Sequence, residues 1–140
     1  MLQRRVICEP DSNTTCDSGV ADIPITYDPP VNDPGELKIE QEAQPDGPDL
    51  VRCWLQQTPA RRLVNLANIP AIVITGEASY HAVYDHCTAK YLTQAGVKVT
   101  ALRLGDHGVH GNAHMIMLEK NNLQVARLIA AWLARTIPAR

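Results

Sequence analysis

The run Ala71-Ile72-Val73-Ile74-Thr75 constrains this chain more than any other stretch. It is β-rich and apolar on both faces, with none of the in–out alternation of a half-solvated strand. That pattern belongs to a parallel strand covered by helices on both sides. Gly76-Glu77 ends it. Beyond that point Tyr84, Cys87, Thr88, Tyr91 and Leu92 recur at helical spacing, and Gly96 stands where a helix would be closed. Val97 to Leu104 reads as the next strand. Asn122 to Arg135 reads as an amphipathic helix, with Val125, Leu128, Ile129, Trp132 and Leu133 forming one apolar stripe. Strand, helix, strand, loop and helix in this order predict an α/β fold with a parallel sheet and right-handed crossovers.

The first half differs in composition. Val6-Ile7-Cys8 is a short apolar run cut off by Glu9-Pro10, so Glu9 is expected at the carboxyl end of a strand. From Pro10 to Pro59 the chain carries eight of its ten prolines, clustered in turns such as Asp28-Pro29-Pro30 and Pro45-Asp46-Gly47-Pro48. So long a plain loop is uncommon in a compact domain, which favours a cap or lid-like insertion over 10–68; a disordered linker is the alternative. Within it, Asp49 is a candidate N-cap for a short helix through Leu50, Val51, Trp54 and Leu55, and Arg61 to Asn68 reads as a further helical turn or two.

Between the last strand and the last helix lies Gly105-Asp106-His107-Gly108-Val109-His110-Gly111-Asn112-Ala113-His114-Met115. Open α/β sheets place their chemistry at the carboxyl ends of the strands, and glycines there allow a histidine to face a cleft. A catalytic histidine needs a carboxylate to hold its tautomer and a nucleophile to deprotonate. Glu9, Glu77 and Asp106 are the carboxylates on offer. No serine or cysteine lies in a G-x-S-x-G turn: Ser12, Ser18 and Ser79 all stand in other contexts. His107, His110 and His114 have a spacing that also admits metal ligation, but zinc sites ordinarily draw on more distant elements, so no metal is expected. Met115, Ile116 and Met117 read as core beneath the site; Tyr80, His81 and Tyr84 read either as a pocket lining or as packing at a helix entry.

A formal charge of −2 over 140 residues, with no Lys/Arg run, leaves no footprint for nucleic acid or an anionic membrane. No apolar run reaches a membrane span, and the stretch after Met1 is too short for a secretory signal, so the compartment stays open, cytoplasmic by default. On the same ground Asn13-Thr14-Thr15 reads as a chance glycosylation pattern. Cys8, Cys16, Cys53 and Cys87 have no CxxC spacing and read mainly as small buried residues, with a structural disulfide as the lesser alternative.

From Ile69 onward the residues resemble a known family. Ile69 to His81, Tyr84-Asp85-His86-Cys87, Gly108 to Met117 and Glu119-Lys120-Asn121-Asn122 look like the carboxyl-terminal half of an α/β-hydrolase. The nearest group is bacterial and fungal esterase-like hydrolases with a Gly-Asn-x-His-Met-x-Met histidine motif. The resemblance implies a partial α/β-hydrolase fold over 1–140: the last strands of a mostly parallel sheet with flanking helices, a Pro-rich lid-like insertion over 10–68, and over 69–140 the last two strands, histidine loop and terminal helix. It makes His114 the catalytic histidine. Glu9 matches the family's acid before proline, while Glu77 occupies the more usual hydrolase acid position. The implied substrate is a small-molecule ester or acyl compound, with no cofactor. The nucleophile elbow, oxyanion loop and earlier strands would lie upstream of Met1, so the expectation is a truncated piece, inactive alone unless a partner chain or missing half supplies the serine. A non-catalytic binding or pseudoenzyme module is the alternative.

Overall fold

The computed structural model describes residues 25–137. The expected strand at Val6 to Cys8 and the candidate acid Glu9 lie outside the described residues.

The centre is one parallel strand pair. β5 (Ala71–Thr75) runs beside β6 (Val99–Arg103) in the register Ala71↔Val99 to Thr75↔Arg103. α1 (Asp85–Gln94) connects them and α2 (Asn122–Thr136) follows β6. Because successive residues of a strand point to opposite faces, each side of the pair meets its own core. Ala71 and Val99 pack against Tyr91, Ala95 and Val97 at the end of α1, whereas Ile72, Ile74 and Leu102 pack against Val125, Leu128 and Ile129 of α2. The indole N–H of Trp132 donates to the Thr100 hydroxyl at 2.9 Å and ties α2 to β6. This is the expected α/β arrangement, a parallel pair with a helix on either side. The burial is lower than the sequence suggests. Ala71 to Ile74 are only half-buried, since β6 is the sole neighbour of β5 among the described residues. The apolar stripe of α2 also stops short of Leu133, which is 41% exposed.

α1 ends as its sequence predicts. Gly96 has φ 84°, its N–H donates to the Thr93 carbonyl at 3.0 Å, and Val97 N–H donates to the Leu92 carbonyl at 2.9 Å. This double closure needs a left-handed residue, which glycine supplies without Cβ strain.

The Pro-rich half is docked on α1. β1 (Tyr27–Asp28) pairs with β4 (Arg62–Leu63), and β2 (Ile39–Gln41) with β3 (Trp54–Gln56), both antiparallel. From 25 onward, then, the linker alternative is corrected. So is the helix from Asp49: Asp49 sits in a turn and Trp54 to Gln56 form β3. Weak helical spacing lost to tertiary bonds. Val51 N–H reaches the Val83 carbonyl at 3.0 Å, and Gln56 and Gln94 exchange backbone-to-side-chain bonds of 2.9 and 2.7 Å. Arg61 to Asn68 likewise gives the short strand β4 and then successive turns, with Leu66 N–H bonding the Leu63 carbonyl at 3.0 Å, and no α-helix.

The cysteine reading is corrected for Cys53 and Cys87, while Cys8 and Cys16 lie outside the described residues. Cys53 and Cys87 form a disulfide between the β3 segment and α1. Both are almost fully buried, at 0% and 1% exposure, so the burial was as expected and the covalent bond was not. Next to it, Lys90 contacts Glu42 at 2.6 Å and Asp46 at 2.7 Å, while the Tyr27 and Tyr91 hydroxyls share a bond of 2.8 Å. No helix among the described residues is long and apolar enough to cross a membrane.

Candidate active site at the histidine loop

Both parallel strands end at the same edge, where β5 hands over to Gly76-Glu77 and β6 to a 3-10 turn over Leu104–His107. The loop that follows is held by a few anchors. Gly108 and Gly111 take left-handed backbone, at φ 71° and 74°, and between them Val109 turns inward to 5% exposure against Leu102, Leu104 and Val125. Asn112 is the second inward anchor, at 1% exposure. Its amide exchanges two hydrogen bonds with the amide of Asn121 at the start of α2, at 2.7 and 2.9 Å. Burying an amide is costly unless its donor and acceptor are both used, and here each is.

The loop then presses on the end of β5. The Asn112 carbonyl accepts Ala78 N–H at 3.0 Å, and a Cβ at position 76 would overlap that carbonyl, so only glycine permits the approach. Glu77 completes the latch: one carboxylate oxygen meets His110 Nδ1 at 2.9 Å and the other accepts Gly111 N–H at 3.1 Å. The His110 bond first, and the Gly111 N–H next, hold the Glu77 carboxyl below the usual carboxylate range. Glu77, a candidate acid for His114, is thus engaged with His110.

His114 follows at the exposed surface, and the structure gives its ring stacking partners. It lies on the ring of His81 with centroids 4.2 Å apart and planes 12° from parallel, and it meets Tyr80 at 4.9 Å. His81 is itself fixed: its Nδ1 bonds Asp85 at 3.0 Å, and the other Asp85 oxygen accepts the Thr75 hydroxyl at 2.8 Å. Tyr84 borders His81 at 4.7 Å; burial first, then the neighbouring Tyr80 and Asp85, push its phenol up. Tyr80, His81 and Tyr84 therefore form one aromatic cluster against the candidate base. A shallow cleft opens alongside, lined by Thr75, Gly76, Glu77, Ala82, Arg103, Gly105 and Asp106.

The core reading of the methionines changes here. Met115 and Met117 are 51% and 59% exposed and do not form core; only Ile116 packs inward, beside Val125. Ser79, the one serine among the described residues, is buried, and its hydroxyl oxygen accepts the His81 N–H at 3.1 Å, so it shapes the turn. His107, His110 and His114 are not gathered into a ligand set: the one group of three metal-binding side chains within mutual reach among the described residues is Cys53, His86 and Cys87, two of which are joined as the disulfide. The Asn112–Asn121 pair and the Asp85–His81 support were not anticipated, although the i, i+4 spacing of His81 and Asp85 was visible.

The chain is 42% identical over 113 residues to a probable secreted lipase, phiG, of a fungus (Fungal sp., strain ATCC 74256). The relationship is to lipase- and esterase-type hydrolases. The match takes in 72% of this chain but only 31% of the lipase, so the chain spans about a third of that relative's length. A bacterial esterase of known structure is 36% identical, with a TM-score of 0.45, over 52% of this chain and 25% of that one. No family model matches the chain.

Proposed function

We propose that this chain carries the general base and the orienting acid of a serine-dependent carboxylic-ester hydrolase, as part of an α/β-hydrolase fold. His114 is the base and Glu9 the acid. The serine comes from outside the residues described here, from a preceding part of the protein or a partner chain. The observation that carries the reading is where His114 stands: in the Gly-Asn-x-His-Met motif, exposed, at the carboxyl edge of the parallel strands, within a sequence 42% identical to a protein named as a lipase.

The chemistry asked of these residues is limited. The serine hydroxyl adds to the acyl carbon while the His114 imidazole takes its proton, and backbone N–H groups hold the oxyanion. His114 then returns the proton to the departing alcohol, and water repeats the sequence on the acyl-serine. Glu9 holds the imidazole and offsets the charge it gains. Glu77 is set aside as the acid because both its oxygens are engaged by His110 and Gly111.

The test is a chimera in which this chain replaces the matching third of the lipase. It is expected to hydrolyse a chromogenic short-chain ester and to label with a fluorophosphonate. His114→Ala should lower kcat roughly a thousandfold or more. The chain by itself should neither turn over nor label. Turnover that survives His114→Ala, or a well-folded chimera that labels nowhere, would overturn the proposal and favour a non-catalytic module.

A further inference from the structure

The Asp85–His81 pair has no part in the chemistry just described, yet the ring of His114 is stacked upon it. Thr75 ends β5, Asp85 begins α1, and His81 lies in the turn between them, so the Thr75–Asp85–His81 chain of bonds ties the turn to a strand and a helix. Asp85 accepts from Thr75 with one oxygen and meets His81 Nδ1 with the other, which fixes the imidazole plane at one edge. Ser79 fixes the His81 backbone from the other side through the 3.1 Å bond to its N–H. The flat face of His81 is thereby presented outward, and His114 lies on it almost parallel.

His114 needs such a support. It follows the last deep anchor of its loop, Asn112, by two residues, and its ring is exposed. An imidazole with free χ1 and χ2 would spend most of its time out of line with a nucleophile, and loss of alignment by an ångström is costly in rate.

We propose that His81 is the positioning residue for His114: held by Asp85 and Thr75, it supplies the stacking face that sets the orientation of the His114 ring. The inference rests on His114 being the general base for its consequence in catalysis, but the geometry is testable without any activity. His81 touches neither substrate nor nucleophile in this scheme and acts through His114 alone.

The experiment is NMR of the imidazole C–H groups in the full chain at fixed pH. Lying on the face of His81 with the tilted ring of Tyr80 beside it, the His114 ring protons should be displaced upfield. His81→Ala should remove most of that displacement, His81→Phe should retain it because the stacking face survives, and Asp85→Ala should reduce it by freeing the His81 ring. Methyl resonances of Leu104 and Val125, in the core beneath, report whether each variant is folded. If His81→Ala fails to fold, Asp85→Ala and His81→Phe decide the matter. An unchanged His114 signal in a folded His81→Ala protein, or in Asp85→Ala where only that variant folds, would overturn the proposal. In the lipase chimera, His81→Ala should lower kcat about tenfold with KM little changed, and His81→Phe should restore most of it. An equal rise in KM alone would mean that His81 contacts substrate, and that too would overturn it. A chimera without activity but with the expected NMR shifts would remove the hydrolase reading and leave the stacking support standing.

Discussion

Asn112 and Asn121 bond each other through both amide groups, at 2.7 and 2.9 Å, across the gap between the histidine loop and the first turn of α2. This closed pair turns a glycine-rich loop into a fixed platform, because Asn112 also offers its carbonyl to Ala78 at the end of β5. Three elements meet at one residue.

That relationship predicts strong coupling. Asn112→Ala leaves the Asn121 amide without its partner and should destabilise the fold by about 1–3 kcal/mol. Asn121→Ala should cost a similar amount. The double variant should cost much less than their sum, since each single change already breaks both bonds. Urea titration of the four proteins measures this, and simple additivity would refute the pairing.

Cys53–Cys87 closes a separation of 34 residues and fastens the β3 segment to α1. On the chain-entropy view of a loop of that length, opening it should cost about 2–4 kcal/mol. The Cys53→Ala/Cys87→Ala double variant should lose that much in denaturant unfolding, and a reductant should lower the midpoint of the parent but not of the variant. A parent insensitive to reductant would show the bond is not formed.

The Glu77 latch predicts the behaviour of the loop in acid. Because the Glu77 pKa is lowered in the folded protein, its contribution is fully present above the ordinary carboxylate value of 4.5 and is lost as pH falls through the lower folded value. The Gly111 N–H, bonded to this carboxylate, should therefore stay protected from hydrogen exchange from neutral pH down through that ordinary value. Below it, protection should fall. In Glu77→Gln the acid-dependent step should vanish. Loss of protection at a pH above the ordinary carboxylate value would contradict the assignment.

Local pattern was enough wherever a residue's role depends on its neighbours in the chain. Ala71 to Thr75 could be read as a strand of a parallel sheet, Gly96 could close α1 because left-handed backbone suits glycine, and the 3.6-residue stripe of Val125, Leu128, Ile129 and Trp132 had to face the sheet. The same order of elements put His107, His110 and His114 at the carboxyl edge. Asp49 to Leu55 was misleading for the opposite reason: its helical spacing is weak, and bonds to distant Val83 and Gln94 chose a strand.

What only tertiary structure decided is which side chains meet. Sequence spacing could list Glu77, Asp106 and three histidines, but not assign Glu77 to His110, nor stack His114 on His81 across thirty-three positions of chain. Nor could it pair Cys53 with Cys87, because that depends on the docking of β3 against α1. Secondary structure follows from energies within a few residues, which the sequence states directly. A site is a set of distances between segments far apart in the chain, and those exist only once the cores on both faces of β5 and β6 have packed.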